Sequence, residues 1–493
     1  MKATLSKGAC ALGLAAALTV AAGVVAAPSS AAAVHYCLGE RATIVGTNKR
    51  DKLNGTGGRD VIAALGGNDV VHAGEGADLI CLGPNPDRLA ERGFGDRGDD
   101  RISGGPGSES LYGGHGRDVL ATDGGGGAAI GGPDDDELVG GPGRDQLGGE
   151  GGPGSGRSSF GGGYSYVFMP GEPGNDRMRA SGGNDLLIVG EGDDVMNGGD
   201  GRDRAVYWST ERGDFSADLG TGVARGPGRD RLSGIEDVHG WTAGDVVLRG
   251  DDEPNVLIGS PSRDGASGNL YGGGGDDLLA ALRDWNARGV GDVDLYGGLG
   301  NDALQGQCVE NDERVDELFS GPGADLIELG CGLRFADGGP GPDTIGALES
   351  ARYPSADDSE ATVDGGEGFD LLSWEFTPGR VEADLAAGIA LVHHSDGTTG
   401  REYALTSIEA LHGSDSGDDV LLGDDGPNVL IGGVSQRDAI DDHDRIEGRG
   451  GDDELFGDDG NDELDGGPGN DRLDGGEDVD TCRNGETVTG CEM

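Results

Sequence analysis

Of 493 residues, 104 are Gly and 92 are Asp or Glu against only 36 Lys or Arg, which gives a formal charge of -56. Aromatic residues make up 4%, and Leu, Ile, Val and Phe together roughly a fifth, the level at which a highly charged chain normally stays disordered. An ordinary globular core is therefore excluded, nucleic acid is not expected as a partner of so acidic a chain, and one glycine in every five residues calls for an internal repeat.

Residues 1–33 stand apart. Lys2 and Lys7 precede an apolar run from Ala9 to Ala27, and Ser29-Ser30-Ala31-Ala32-Ala33 follows. This pattern reads as a secretory signal, with cleavage expected after Ala33 and Ala27 as the second choice, so the mature chain is expected outside the cell. No later stretch is apolar enough to span a bilayer, and no membrane span is expected after cleavage. Losing Cys10 leaves six cysteines, an even number that suits disulfides in an exported protein. Proximity in sequence favours Cys37–Cys81, Cys308–Cys331 and Cys482–Cys491 among the fifteen possible pairings.

A period of nine then takes over. In a first array, 34–148, Asp51, Asp60, Asp69, Asp78 and Asp87 are each followed two places later by Leu53, Ile62, Val71, Ile80 and Leu89. After a shift of phase the series resumes as Asp100, Glu109, Asp118, Gly127, Asp136 and Asp145. A Gly-rich linker, 149–170, ends with Tyr164, Tyr166 and Phe168 at alternate positions, read as a strand covering the edge of the array. The second region, 171–345, carries Asp176, Asp185, Asp194 and Asp203, a spacer at 207–245, and single units at Asp277, Asp302, Asp316, Asp325 and Asp343. The third, 346–493, holds a unit at Asp370, a spacer at 373–418 and a terminal array, 437–482, with Asp444, Asp453, Asp462, Asp471 and Asp480.

The residue types explain the spacing. Six Gly-rich positions make a tight turn, because glycine alone tolerates left-handed backbone cheaply. Three positions centred on an aliphatic make a short strand that sends one side chain inward and two outward. Two units close a coil of eighteen residues, and stacked coils build two parallel sheets around a core one aliphatic deep. Stacking also sets the Asp at n beside the Asp at n+18, so a cation is expected between them. Carboxylates and glycine carbonyls are hard oxygen donors that suit Ca²⁺ better than the stricter Mg²⁺. The candidate metal ligands are Asp51, Asp60, Asp69, Asp78, Asp87, Asp100, Asp118, Asp136, Asp176, Asp185, Asp194, Asp203, Asp325, Asp343, Asp444, Asp453, Asp462, Asp471 and Asp480. Asp462, with acidic partners on both sides, is expected to serve two ions, and Asp480, with no coil after it, one.

The nonapeptide Gly-Gly-x-Gly-x-Asp-x-aliphatic-x closely resembles the hemolysin-type calcium-binding repeat, or RTX repeat, of secreted bacterial proteins. Its best copy here is Gly466-Gly467-Pro468-Gly469-Asn470-Asp471-Arg472-Leu473-Asp474. The resemblance implies an all-β parallel β-roll with Ca²⁺ between successive turns, held by the sixth-position Asp side chains and turn carbonyls. Gly127, Val246 and Arg334 lack a carboxylate at that position, whereas Asn255 and Asn428 offer an amide oxygen. A longer duplication aligns Asp218-Leu219, Ile235-Glu236 and Asp252 to Gly259 with Asp384-Leu385, Ile408-Glu409 and Asp425 to Gly432. These segments resemble the spacers between RTX blocks and are expected to be irregular strands packed on the solenoid, with Trp208 and Trp374 in local core.

Chemistry beyond calcium finds little support. The repeat-free stretches are smaller than an independent domain usually is, no HExxH or G-x-S-x-G occurs, and His393-His394 reads as a solvated loop pair. The expectation is a secreted, multi-site calcium-binding protein that is not an enzyme. The alternatives are a calcium-dependent adhesin or matrix protein, with cell-surface or matrix polysaccharide as its partner, and a carbohydrate-active or proteolytic enzyme whose site the motifs do not reveal.

Overall fold

The computed structural model describes residues 33–84, 91–124, 126–148, 158–160, 164–166, 174–209, 213–261, 266–281, 292–306, 316–330, 333–347, 361–394, 399–414, 417–433 and 443–492. Among them every regular element is a strand, and no helix is long and apolar enough to cross a membrane. The chain alternates between two sheets. One begins with Ile44–Val45 and ends with Thr481–Arg483; the other begins with Lys52–Asn54 and ends with Thr487–Thr489. Within each, a strand pairs in parallel with the strand one coil later, as Ser110 pairs with Ala128 and Val119 with Glu137, eighteen residues on. The result is a β-solenoid of parallel sheets, as the nine-residue period predicts.

The core is as thin as that period requires. In Val119–Ala121 only Leu120 is fully buried, and Leu111, Ala129, Leu138 and Leu147 occupy equivalent places in neighbouring strands. Each coil adds two such side chains, so burial is continuous along the axis but shallow across it. Each buried aliphatic contributes about 1.5–3 kcal/mol, little against the backbone entropy of eighteen ordered residues.

The shift of phase after Asp78 does not interrupt the sheets. Val70 pairs with Arg92 and Leu79 with Arg101, offsets of twenty-two instead of eighteen. Four additional residues in the intervening segment restore the register. Likewise Glu137–Val139 pairs directly with Arg177–Gly182, and Gln146–Gly148 with Leu186–Val189. Both sheets thus run on across the Gly-rich segment, within which Ser158–Phe160 and Tyr164–Tyr166 form an antiparallel pair.

The spacers differ from expectation. They are not packed on the outside of the solenoid but built into one sheet. After Val195–Asp200 come Arg229–Ser233, then Val223–Arg225 and Phe215–Asp218 in antiparallel order, and only then the parallel strand Val246–Arg249. The opposite sheet makes the same step directly, from Arg204–Ser209 to Asp237–Thr242. The second spacer repeats the device with Gly379–Asp384, Ile389–His394 and Thr399–Thr406, opposite Leu371–Trp374 and Ala410–Ser414. Two extra strands lengthen one sheet by about 10 Å at each insert, so the sheets splay there. Large aromatic residues fill the wedge. Tyr207 and Phe215 meet at 4.4 Å between ring centroids, and fully buried Trp374 meets Tyr403 edge-on at 6.2 Å. Trp208 is half-buried and packs on Trp241. His393 and His394 end a strand of the second insert, and His394 is buried, so they are no solvated loop pair.

Disulfides close both ends. Cys37 joins Cys81 with Cα atoms 5.5 Å apart, and Cys482 joins Cys491 at 5.9 Å. The expected Cys308–Cys331 pair lies outside the described residues.

Candidate metal centre

The unit Gly113-Gly114-His115-Gly116-Arg117-Asp118 shows why the turn needs its residue types. Gly114 and Gly116 adopt φ of +110° and +117°, the left-handed region that an L side chain enters only with strain. A Cβ on either would also lie 2.2 Å from a carbonyl oxygen of the preceding coil, that of Asp96 or Gly98. Gly113 is required for another reason. A Cβ there would stand 2.2 Å from Oδ2 of Asp118 and 2.5 Å from the carbonyl oxygen of Gly131 one coil on. Gly95, Gly131, Gly272, Gly297, Gly448 and Gly457 stand in the same relation to the acidic residue five places later. The first glycine of the repeat leaves room beside a carboxylate oxygen and a backbone carbonyl.

The carboxylates form two rows, one on each side of the solenoid. Oδ1 of each linked Asp, and Oε2 of Glu236 and Glu409, accepts a hydrogen bond from the backbone N–H of the row member one coil earlier. On one side this links Asp60, Asp78, Asp100, Asp118, Asp136, Asp176, Asp194 and Asp230 in sequence, at 2.6–2.9 Å. On the other, Asp145, Asp185, Asp203 and Glu236 are linked, and then Asn255, Asp277, Asp302, Asp325, Asp343, Asp370 and Glu409. Near the C-terminus Asp419, Asp444, Asp462 and Asp480 form one row and Asn428, Asp453 and Asp471 the other.

The second oxygen carries the chemistry. Oδ2 of Asp69, Asp78, Asp100, Asp118, Asp136, Asp185, Asp194, Asp203, Asp325, Asp343, Asp453, Asp471 and Asp480 is buried and makes no hydrogen bond. A charged oxygen removed from water without a partner is costly. Burial accordingly raises Asp118 to about 8 and Asp136 to about 9, a backbone N–H partly opposes the rise, and neighbouring carboxylates add to it. Asp100, Asp176 and Asp343 are each raised to about 7, with burial the largest cause. A cation at Oδ2 would remove the reason for the shift.

Like charges one coil apart are therefore not separated by a cation alone, as stacking suggested. A backbone N–H already lies between them, and Asp100, Asp118, Asp136 and the others just named each present one buried oxygen without a hydrogen bond. Among the described residues no three His, Cys, Asp or Glu side chains gather to hold a metal. A bound ion would take its remaining ligands from turn carbonyls and water, which suits Ca²⁺, with its six to eight oxygens and flexible geometry. The donor set fits that ion.

Not every predicted ligand has this form. Thr47 donates its N–H and hydroxyl to Oδ2 of Asp51 at 2.6 and 2.8 Å, and Thr56 does the same to Asp60 at 2.7 and 2.8 Å. The chain itself satisfies these two carboxylates. Asp87 lies outside the described residues, and the place in register with Asp69 belongs to Glu91. Asp480 is not the last of its row, since its N–H donates to Glu492, as that of Asp471 does to Glu486. Asp176, Asp444 and Asp462 are buried in register with the rest.

The rows also contain residues the list of candidates lacks. Glu91 and Glu109 are buried with both side-chain oxygens free of hydrogen bonds. Asp230 and Asp419 enter because the inserts displace them thirty-six and thirty-eight residues from their partners, Asp194 and Val381. Thirty-six is four nonapeptides, so a count of nine does reach Asp230 from Asp194, whereas thirty-eight is no multiple of nine and Asp419 falls outside the count. Glu236 and Glu409 were legible in the duplicated Ile-Glu pairs.

The family model of the RTX calcium-binding nonapeptide repeat, in four copies, matches residues 45–80, 94–128, 170–205, 414–435, 439–473 and 447–482. A comparison with curated proteins gives no match.

Proposed function

The chain carries RTX calcium-binding nonapeptide repeats, and from that premise we propose that it is a secreted protein whose folding depends on binding many Ca²⁺ ions along the two carboxylate rows. The observation that carries this reading is the recurrence, coil after coil, of a buried Oδ2 with no hydrogen bond, in Asp100, Asp118, Asp136, Asp203, Asp343, Asp453, Asp471 and Asp480 beside a glycine five places earlier. The side chains would hold the ions through Asp100, Asp118, Asp136, Asp185, Asp194, Asp203 and their equivalents, and the ion supplies the charge compensation that the thin core cannot. Export is supported by the apolar segment of residues 9–27 and by the end-capping disulfides. The reading assigns the chain no catalytic step.

Calcium titration of the mature chain tests it. The expected result is a largely unfolded spectrum in chelator and a cooperative rise of β signal at roughly 10⁻⁴ to 10⁻³ M calcium, the range of extracellular modules. Equilibrium dialysis should count several ions per chain. A β spectrum indifferent to chelator would refute the reading.

A further inference from the structure

One outward face contradicts the charge of the rest. In a chain of net charge -56, the first insert and its neighbours expose Arg177, Arg179, Arg225, Arg229, Arg231 and Arg249 on the same sheet. In each of these strands the alternate residues, Met178, Ala224, Asp230, Leu232 and Leu248, are buried, which sets all six arginines on the solvent side. None of the six makes an ion pair among the described residues, although other arginines do, such as Arg202 and Arg204 with Asp237. Arg249 lies over the ring of Tyr271 at 4.6 Å.

The pairing makes this arrangement costly. Arg225 stands directly opposite Arg229 in the antiparallel insert, and like charges so placed are destabilising. Arg231 shares a strand face with Arg229, and Arg177 lies two strands away across Val195. The acidic side chains beside the group are Asp218, directly opposite Arg249 and already accepting the Thr221 N–H at 2.8 Å, Asp200, and Glu137, in register with Arg177 on the next strand. The group spans six strands, about 24 Å at the usual strand spacing, and three alternate levels along them, with Arg179 on one side, Arg177, Arg231 and Arg249 in the middle and Arg225 and Arg229 on the other, about 13 Å. It is a basic strip along the solenoid axis, about twice as long as it is wide.

We propose that this strip binds a single extended acidic polysaccharide, its carboxylate or sulfate groups held by the arginine forks. The guanidinium fork matches either anion in a bidentate manner. The strip is elongated along the axis and suits one linear chain laid along it, whereas a membrane surface or a nucleic-acid duplex would also meet the surrounding carboxylates. Single-stranded nucleic acid needs open aromatic faces, and here Tyr271, Tyr296 and Phe319 cover one another's faces at 4.8 and 5.2 Å. The inference is independent of where calcium binds and requires only the folded chain.

Calorimetry on the calcium-loaded mature chain decides it, with heparin as the sulfated probe, hyaluronan as the carboxylated one and dextran as the neutral one. Expected are salt-sensitive binding to at least one acidic probe, no binding to dextran, and a loss of at least about tenfold in the Arg225→Gln, Arg229→Gln, Arg231→Gln triple variant. The control variant Arg92→Gln, on the other sheet, should bind as the parent does. Should the triple variant lose its β spectrum, Arg177→Gln with Arg179→Gln replaces it, with the same loss expected. Binding to neither acidic probe, or binding untouched by the folded variants, overturns the proposal. So does equal or tighter capture of a single-stranded oligonucleotide or phosphatidylserine vesicles, or a doubled mass in light scattering that the variants abolish.

Discussion

The backbone N–H of Asp118 donates to Oδ1 of Asp136, 2.8 Å away and one coil on. This contact makes the repeat a ladder of carboxylates instead of a stack of independent sites. Asp136 and its equivalents tie down the backbone of the coil before them, and many, such as Asp100, Asp118 and Asp136, leave a single oxygen for a cation. Deleting one carboxylate therefore removes both an ion ligand and the acceptor of a buried N–H, and the loss reaches two coils. In a solenoid, where stability is approximately a sum of unit and neighbour contributions, damage of that kind dies away within a few coils.

Substitution by Asn separates the two roles. Asp136→Asn keeps an acceptor for the Asp118 N–H but removes the charge. Its calcium midpoint should rise severalfold while the calcium-free chain becomes slightly more structured, because a buried charge has gone. Asp60→Asn should behave in the opposite way, since Thr56 already satisfies that carboxylate. Replacing the accepting oxygen by an amide there should cost about 1–3 kcal/mol with or without calcium. Paired calcium and urea titrations measure both, and identical responses from the two variants would defeat the distinction.

Acidity should act in opposite directions on the two forms. Asp136 is raised to about 9 and Asp118 to about 8 in the calcium-free fold, against about 4 in an unfolded chain. Between those values the fold holds protons that the unfolded chain releases, so its stability falls as pH rises from about 4 to about 9. Without calcium, β signal should be stronger at pH 4.5 than at pH 8. With calcium the ion competes with those protons, and the midpoint should fall about tenfold per pH unit for each proton displaced. Circular dichroism across that pH range reads both slopes.

Glycines of identical composition should differ sharply. Gly113→Ala places a methyl 2.2 Å from Oδ2 of Asp118, whereas a Cβ on Gly57 meets nothing within 4 Å. The first change should raise the calcium midpoint and lower the melting temperature by several degrees; the second should stay within about 0.5 kcal/mol of the parent. Comparable effects at both sites would show that crowding beside the carboxylate is not what selects glycine.

Trp374 should be the most sensitive aromatic. It is fully buried in the wedge of the second insert, while Phe376 two residues on is 67% exposed. Trp374→Ala should cost about 3–5 kcal/mol and Phe376→Ala almost nothing. Thermal melts in saturating calcium compare them.

The nine-residue alternation of Gly, Asp and aliphatic by itself determined the coil, the parallel pairing at eighteen and the thin core, because a short-period repeat specifies a local turn and strand that can stack in one way. It also determined most of the row members, from Asp69 and Asp78 to Asp471 and Asp480. Only the tertiary structure decided what each carboxylate does. That Thr47 and Thr56 satisfy Asp51 and Asp60 depends on a local turn geometry that the repeat does not spell out. That Glu91 stands in register with Asp69 and that Asp230 and Asp419 rejoin the rows across the inserts depend on contacts between residues far apart in sequence. The same is true of the arginine strip. Its members Arg225, Arg229 and Arg231 come from insert strands whose order in the sheet reverses their order in the chain, so a count of repeats along the sequence could not have set them between Val195–Asp200 and Val246–Arg249.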